Sequence, residues 1–156
     1  MTEADPTRVV ADADVLAADL LVGGVARDAL DHVRSHSWMT LVASDRLLDD
    51  AEAVIATLAD DSLAADWRGC IERDRETVDH PPGDHSGLAS AYRGGAAHLL
   101  SFDDQLGSAG ANLSLQSHMQ LSIRTPDAFA HLFDAKSLYE ATHDDDYPGP
   151  DRDPRA

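Results

Sequence analysis

The chain has 156 residues, enough for one domain with a buried core. Twelve basic residues face 29 acidic ones, and the resulting net charge of −17 argues against DNA binding through a broad basic face. No apolar run approaches the roughly 18 residues of a membrane span, and the N-terminus lacks the pattern of a secretory signal. The single cysteine, Cys70, excludes an intrachain disulfide framework or a multi-cysteine zinc site. We therefore expect a cytoplasmic protein that does not bind membranes.

The composition is biased within each charge class. Aspartate outnumbers glutamate 24 to 5, and arginine outnumbers lysine 11 to 1. This bias resembles proteins of halophilic archaea, in which multimolar salt shortens the Debye length to about 3 Å or less and screens such a charge. Most aspartates would then solvate the surface, so an acidic residue counts as a functional candidate only on positional evidence.

Apolar runs and helical periodicity predict alternating strands and helices. Four short strands are expected, at residues 8–12, 39–43, 97–101 and 120–124. Helices are expected over 15–35 with a break at Gly23-Gly24, over 44–59 from an N-cap at Ser44, over 62–78, from Asp84 to Tyr92, and after Thr125-Pro126. Residues 80–83 and 107–117 read as loops.

This alternation predicts an α/β fold with three α/β/α layers. Its central, mostly parallel sheet would have four or five short strands, with helices on both faces. Residues 1–140 are expected to form one domain. Residues 141–156 are acidic and proline-rich, and we expect this tail to be disordered.

Acidic residues follow two of the predicted strands. In parallel sheets, ligands bind beyond the carboxyl ends of the strands, so Asp12 and Asp103 are candidates for one shared crevice. On a helical wheel for residues 44–59, Asp50 falls about 60° from Leu47, at the shoulder of the apolar face, whereas Asp49 lies on the far side. A carboxylate at such a shoulder needs a partner, either a metal ion or an arginine. Asp84 opens a helix, where aspartate is also a common N-cap.

Four segments in this order resemble the motifs of the PIN-domain nuclease family over about residues 8–133. They are D-A-D-V-L at 12–16, S-D-R-L-L-D-D-A at 44–51, the acid–helix–glycine–strand–acid stretch at 84–106, and I-R-T-P-D-A-F at 123–129. The chain departs from the family pattern in three places: Asp50 stands where Glu is usual, Asp14 where Asn is frequent, and Phe102 where a small residue is frequent.

The resemblance implies a PIN-like fold and an endoribonuclease that hydrolyses RNA phosphodiester bonds with Mg²⁺ or Mn²⁺. Its catalytic, metal-binding carboxylates would be Asp12, Asp50, Asp84 and Asp103. Asp14, Ser101 and Asp104 would surround these ligands without binding the metal directly. Arg46 and Arg93 would contact the substrate phosphate. Many PIN nucleases are toxins of toxin–antitoxin pairs and many dimerise, so a cognate antitoxin and a homodimer are further expected partners.

Two alternatives remain open from the sequence. A PIN-fold protein whose site is weakened by Asp50 would serve as an RNA-binding or assembly module. Asp12-Ala13-Asp14-Val15 also resembles the opening motif of haloacid-dehalogenase-type phosphatases. That family needs a lysine before its last acidic motif, and the only lysine here, Lys136, comes after Asp103.

Overall fold

The computed structural model of the chain describes residues 4–83, 85–103 and 121–154. Within them, five strands form one sheet in which every neighbouring pair is parallel. The strands are β1 (Asp5–Ala11), β2 (Thr40–Ser44), β3 (Arg75–Val78), β4 (Ala96–Leu100) and β5 (Ser122–Arg124). Their order across the sheet is β3-β2-β1-β4-β5. Strands β2 and β3 are added on one side of β1, and β4 and β5 are added on the other side. The strand order therefore reverses between β1 and β4.

Seven helices in the described ranges cover the sheet. They are α1 (Ala13–Leu21), α2 (Gly24–Arg34), α3 (Asp45–Leu58), α4 (Asp61–Asp74), α5 (Ser86–Gly94), α6 (Pro126–Leu132) and α7 (Ala135–Thr142). Helix α5 packs so closely on one face that a Cβ on Gly94 would lie 2.5 Å from Val42 Cγ1. The neighbouring Leu41, which points to the opposite face, lines a cavity with side chains of α2 and α4. The predicted three-layer α/β/α fold is confirmed.

The central strands supply the middle of the core. Val9 and Val10 of β1 and Leu99 and Leu100 of β4 are each fully buried. Consecutive residues of a strand point to opposite faces, so these pairs face both helical layers at once. This explains why the predicted strands read as continuous apolar runs rather than as alternating patterns.

The predicted break at Gly23-Gly24 is confirmed. Gly23 has φ of 81° and Gly24 has φ of 51°, and α1 ends before them while α2 begins at Gly24. Residues with a Cβ rarely adopt these left-handed values, so the glycine pair permits the chain to turn between two helices.

The helix predicted over 62–78 is wrong in its last turn. Helix α4 ends at Asp74, and Arg75–Val78 form β3, the outermost strand beside β2. The residues at its centre, Glu76 and Thr77, are exposed, so an apolar run does not mark this edge strand. The Arg75 guanidinium donates to Ala43 O at 2.9 Å and fixes the strand against β2.

The C-terminal residues lie along the domain. Helix α7 runs past the predicted boundary at residue 140 and ends at Thr142. Beyond it, the Tyr147 hydroxyl lies 2.6 Å from His36 Nε2, and the Asp151 carboxylate accepts from Ser37 N at 2.7 Å. These contacts place the segment beside the connection between α2 and β2.

In the parts of the chain that the structure describes, no helix has both the length and the hydrophobicity needed to cross a membrane.

Candidate functional site at the carboxyl edge of the sheet

Asp12 lies at the carboxyl end of β1, where the strand order reverses. It is the N-cap of α1, it is only 8% exposed, and one carboxylate oxygen, Oδ1, accepts from Ala13 N at 2.9 Å. Its own N–H donates to Leu100 O at 2.8 Å, which ties the end of β1 to the end of β4. Crevices at such reversals are the usual ligand sites of open α/β sheets, so Asp12 occupies the position that the sequence predicted for it.

Ser101 connects the two strand ends through its hydroxyl. The buried Ser101 Oγ donates to Asp12 Oδ2 at 3.2 Å and accepts from Asp103 N at 3.1 Å. Its backbone N–H donates to Arg124 O at 2.9 Å, so the residue is also held by β5. The structure therefore brings Asp12, Ser101 and the backbone of Asp103 together, as predicted.

Asp14 belongs to the same group. Its Oδ2 accepts from Phe102 N at 3.0 Å, whereas Oδ1 is buried and has no hydrogen-bond partner. Burial raises the pKa of Asp14, and the negative charge of Asp12 raises it further, with a smaller contribution from Asp103. Asp12, Asp14 and Asp103 thus share one negatively charged region, which a cation would stabilise.

Asp50 of α3 is held by the first turn of α5. Its Oδ2 accepts from Ser86 Oγ at 2.6 Å, and Ser86 is buried. Asp50 itself is exposed, so it lies further from the core than its shoulder position on the helical wheel predicted. The adjacent Asp49 instead pairs with Arg68 at 2.7 Å, which agrees with its placement on the far side of the helix.

The start of α5 also contacts Asp12 directly. His85, rather than the predicted Asp84, is the N-cap of α5, and its Nδ1 accepts from Leu88 N at 3.3 Å. A neutral ring in this role carries its proton on Nε2, which lies 3.7 Å from Asp12 Oδ2. A Cβ on Gly87 would lie 2.8 Å from Asp12 Oδ1. Only glycine allows this close approach of α5 to the carboxylate.

Sequence reasoning missed Ser86 and Gly87. Gly87 lies in the first turn of the nine-residue helix α5, where glycine destabilises the helix by about 0.5–1 kcal/mol relative to alanine. Such a glycine indicates that another part of the chain packs closely against it. Ser86 gave no comparable signal, because its importance depends on the position of α3 in space.

A second hydrogen-bond network lies at the end of β2. Ser44 N donates to Ser90 Oγ at 3.1 Å, and Ser44 Oγ accepts from Leu47 N as the N-cap of α3. His80 Nδ1 lies 3.0 Å from Pro81 O, so its Nε2 is free to accept the Ser44 hydroxyl proton at 2.8 Å. This network holds the chain after β3 against α3 and α5, and so fixes the start of the loop that leads into α5.

The two predicted phosphate-binding arginines lie in different places. Arg46 is exposed in the first turn of α3, at the same edge of the sheet as Asp12. Arg93 is in the last turn of α5, about 10 Å along the helix axis from Ser86. The structure therefore does not bring Arg93 to the acidic group.

Two of the predicted site residues, Asp84 and Asp104, lie outside the described residues. Among the residues that are described, no three acidic, histidine or cysteine side chains are grouped closely enough to hold a metal ion by themselves. Of the four predicted carboxylates, Asp12 and Asp103 therefore lie at the ends of β1 and β4, and Asp50 lies on α3, hydrogen-bonded to the start of α5.

The fold and this edge define an open parallel α/β protein with clustered carboxylates at the reversal of its strand order. The chain belongs to the family of unknown function DUF7384, whose model matches residues 3–155. No curated protein and no solved structure matches the chain.

Proposed function

We propose that this protein is an endoribonuclease that hydrolyses RNA phosphodiester bonds with a carboxylate-bound Mg²⁺ or Mn²⁺. The observation that carries the proposal is the shared negative region of Asp12, Asp14 and Asp103 at the strand-order reversal, where burial and, after it, like charge raise the pKa of Asp14. Groups of carboxylates in a crevice with perturbed pKa values mark candidate functional sites.

The donor set fits a hard divalent cation. Carboxylate oxygens are the ligands that Mg²⁺ and Mn²⁺ prefer, and Asp14 Oδ1 is a buried oxygen without a partner in this region. In this proposal Asp12, Asp50, Asp84 and Asp103 contribute ligands together with water and the substrate phosphate, because the carboxylates of the described residues do not hold an ion by themselves. When bound, the ion would lower the pKa of a water molecule and neutralise charge on the phosphate.

The protein groups around the carboxylates have positioning roles in this proposal. Ser101 orients Asp12 through its hydroxyl and orients Asp103 through that residue's N–H. Ser86 does the same for Asp50, and Arg46 at the edge is the candidate contact for a substrate phosphate. Hydrogen bonds to ligand carboxylates commonly fix their orientation, and their loss weakens metal affinity by about 10–100-fold.

The phosphatase alternative gains no support from the geometry. Lys136, which such a mechanism would require near the acids, is an exposed residue of α7 beside the N-cap Asp134. The RNA-binding alternative differs from the proposal only in lacking hydrolysis, so a cleavage assay separates the two. The halophilic origin, the antitoxin and the homodimer stay predictions.

The test is cleavage of a 5′-labelled single-stranded RNA in multimolar KCl with Mn²⁺. We expect cleavage by the wild type and its loss with EDTA, with Asp12→Asn and with Asp103→Asn. Asp66→Asn, at an exposed position of α4, makes the same charge change away from the edge and is expected to leave cleavage intact. Binding of RNA without cleavage, in a protein shown to be folded by circular dichroism, would support the binding module instead.

A further inference from the structure

A cavity of about 330 Å³ lies between the β4–β5 edge of the sheet and helices α6 and α7. Its wall includes the side chains of His98, Arg124, Phe129, Leu132, Phe133 and Leu138. His98 pairs with Ser122, and Leu100 pairs with Arg124, so His98 and Arg124 lie on the same face of the sheet. The cavity volume is in the range of small-molecule and nucleotide sites.

Arg124 supplies a positive charge to this cavity. Arg34 and Arg68 pair with carboxylates, whereas Arg124, like Arg46 and Arg93, forms no ion pair with an acidic residue in the described ranges. The Asp134 carboxylate in the cavity wall is engaged as the N-cap of α7, where it accepts from both N and Oγ of Ser137. An anionic ligand group would complement the guanidinium.

The rest of the cavity is apolar and aromatic. The ring centroids of Phe129 and Phe133 are 5.4 Å apart, and His98 contacts Phe129 edge-on at 5.5 Å. Burial lowers the pKa of His98, and the charge of Arg124 lowers it further, so the imidazole stays neutral at pH 7. Leu132 is 61% exposed at the end of α6. Aromatic side chains of this kind stack on nucleobases in single-stranded nucleic-acid sites.

The cavity lies beside the strands whose carboxyl ends carry the candidate site. Arg124 O accepts from Ser101 N, and Ser101 in turn donates to Asp12. Strands β4 and β5 are neighbours, so their carboxyl ends are about 4.8 Å apart. We propose that this cavity is a nucleotide subsite for single-stranded RNA, in which a base lies against the half-buried Phe133, itself packed on the buried Phe129, while Arg124 binds the adjoining phosphate. This inference rests on the proposed function.

The first test measures RNA affinity without cleavage. A fluorescein-labelled oligouridylate 12-mer is titrated in EDTA, by fluorescence anisotropy, at the lowest KCl concentration at which circular dichroism shows the fold intact, because salt weakens phosphate contacts. We expect Arg124→Gln and Phe133→Ala each to lower the affinity about tenfold. Arg73→Gln removes the same charge from an exposed position of α4 and is expected to leave the affinity unchanged.

The second test does not depend on the stability of a variant. A 12-mer carrying 5-bromouridine is photo-crosslinked to the wild type, and the modified peptide is identified by mass spectrometry. Crosslinks at Phe133 support the subsite. Cleavage by the wild type together with equal affinities of Arg124→Gln and Arg73→Gln, or with crosslinks elsewhere only, would overturn the subsite and leave the nuclease proposal standing. Failure of the wild type to bind or cleave RNA would overturn both.

Discussion

Gly87 and Asp12 approach so closely that a single added methyl group would collide with the carboxylate. A Cβ at Gly87 would lie 2.8 Å from Asp12 Oδ1 and 3.2 Å from Asp12 Cγ. The first turn of α5 therefore packs directly against Asp12, the carboxylate at the end of β1 that is central to the proposed chemistry.

Gly87→Ala is predicted to impair the site more than the fold. The methyl group would displace either Asp12 or the start of α5, which we expect to cost about 1–3 kcal/mol of unfolding free energy. We expect cleavage to fall about tenfold or more, since small displacements of catalytic groups are costly. Chemical denaturation and the RNA cleavage assay measure the two effects.

Gly69→Ala is the matched control. Gly69 lies in α4, and a Cβ there would meet no atom within 4 Å. Alanine is a better helix former, so we expect a gain of about 0.5–1 kcal/mol and unchanged cleavage. Equal behaviour of the two alanine variants would show that the approach of α5 to Asp12 has no functional consequence.

Asp14→Asn is predicted to stabilise the protein in the absence of divalent cations. The pKa of Asp14 in the folded state is raised above its ordinary value of 3.8, so the folded state loses stability as the pH rises from about 3.8 through the raised pKa. Asparagine does not ionise, so the folded state of Asp14→Asn does not lose stability in this way. We expect the melting temperature in EDTA at pH 7 to be higher for Asp14→Asn than for the wild type.

The pH dependence makes this prediction specific. The difference in melting temperature between Asp14→Asn and the wild type should be small at pH 4, grow with rising pH and then become constant. Mn²⁺ should reduce the difference, because the cation would stabilise the ionised wild-type carboxylate. A difference that is already complete at pH 4 would argue that packing, and not charge, causes the effect.

Asp50→Glu is predicted not to increase cleavage. The resemblance to PIN nucleases implies a glutamate at this position, but the shorter Asp50 is already held by Ser86 Oγ at 2.6 Å. An extra methylene would push the carboxylate past this hydroxyl. A clear gain of cleavage by Asp50→Glu would instead support a site weakened by the aspartate.

Arg68 is predicted to stabilise the helical layer formed by α3 and α4. It is near four carboxylates, and its nearest contacts are Asp49 at 2.7 Å, Glu52 at 3.0 Å and Glu72 at 3.1 Å. Its side chain is only 17% exposed. Arg68→Ala leaves these acids facing one another, and we expect a loss of about 1–2 kcal/mol at low salt.

The loss from Arg68→Ala should shrink in multimolar KCl, where the repulsion among the acids is screened. Denaturation at two salt concentrations, with Arg73→Ala as the control for an exposed arginine on the same helix, measures this. A loss that does not depend on salt would assign the role of Arg68 to packing of its aliphatic stem.

The sequence predicted those features that depend on local patterns. Buried parallel strands are continuous apolar runs, so β1, β2 and β4 were predicted within one residue at their carboxyl ends, and the acids beyond β1 and β4 followed from them. Edge strand β3 has an exposed polar centre and was predicted as helix. An apolar run indicates a buried strand, so it does not indicate β3, which is held mainly by backbone hydrogen bonds.

Features that depend on contacts between distant segments were not predicted. The collision that makes Gly87 necessary involves a carboxylate 75 residues earlier in the sequence, and the Ser86–Asp50 hydrogen bond spans 36 residues. The path of the C-terminal segment depends likewise on Tyr147 and Asp151 meeting residues of the α2–β2 connection, 111 and 114 residues away. Composition carries no information on such pairs.

Calorimetric titration with Mn²⁺ shows whether the carboxylates at the β1–β4 reversal bind a divalent cation. We expect saturable binding by the wild type, loss of that binding in Asp12→Asn and Asp103→Asn, and retention in Asp66→Asn. Equal binding by all four proteins, or no binding by a folded wild type, would contradict this expectation.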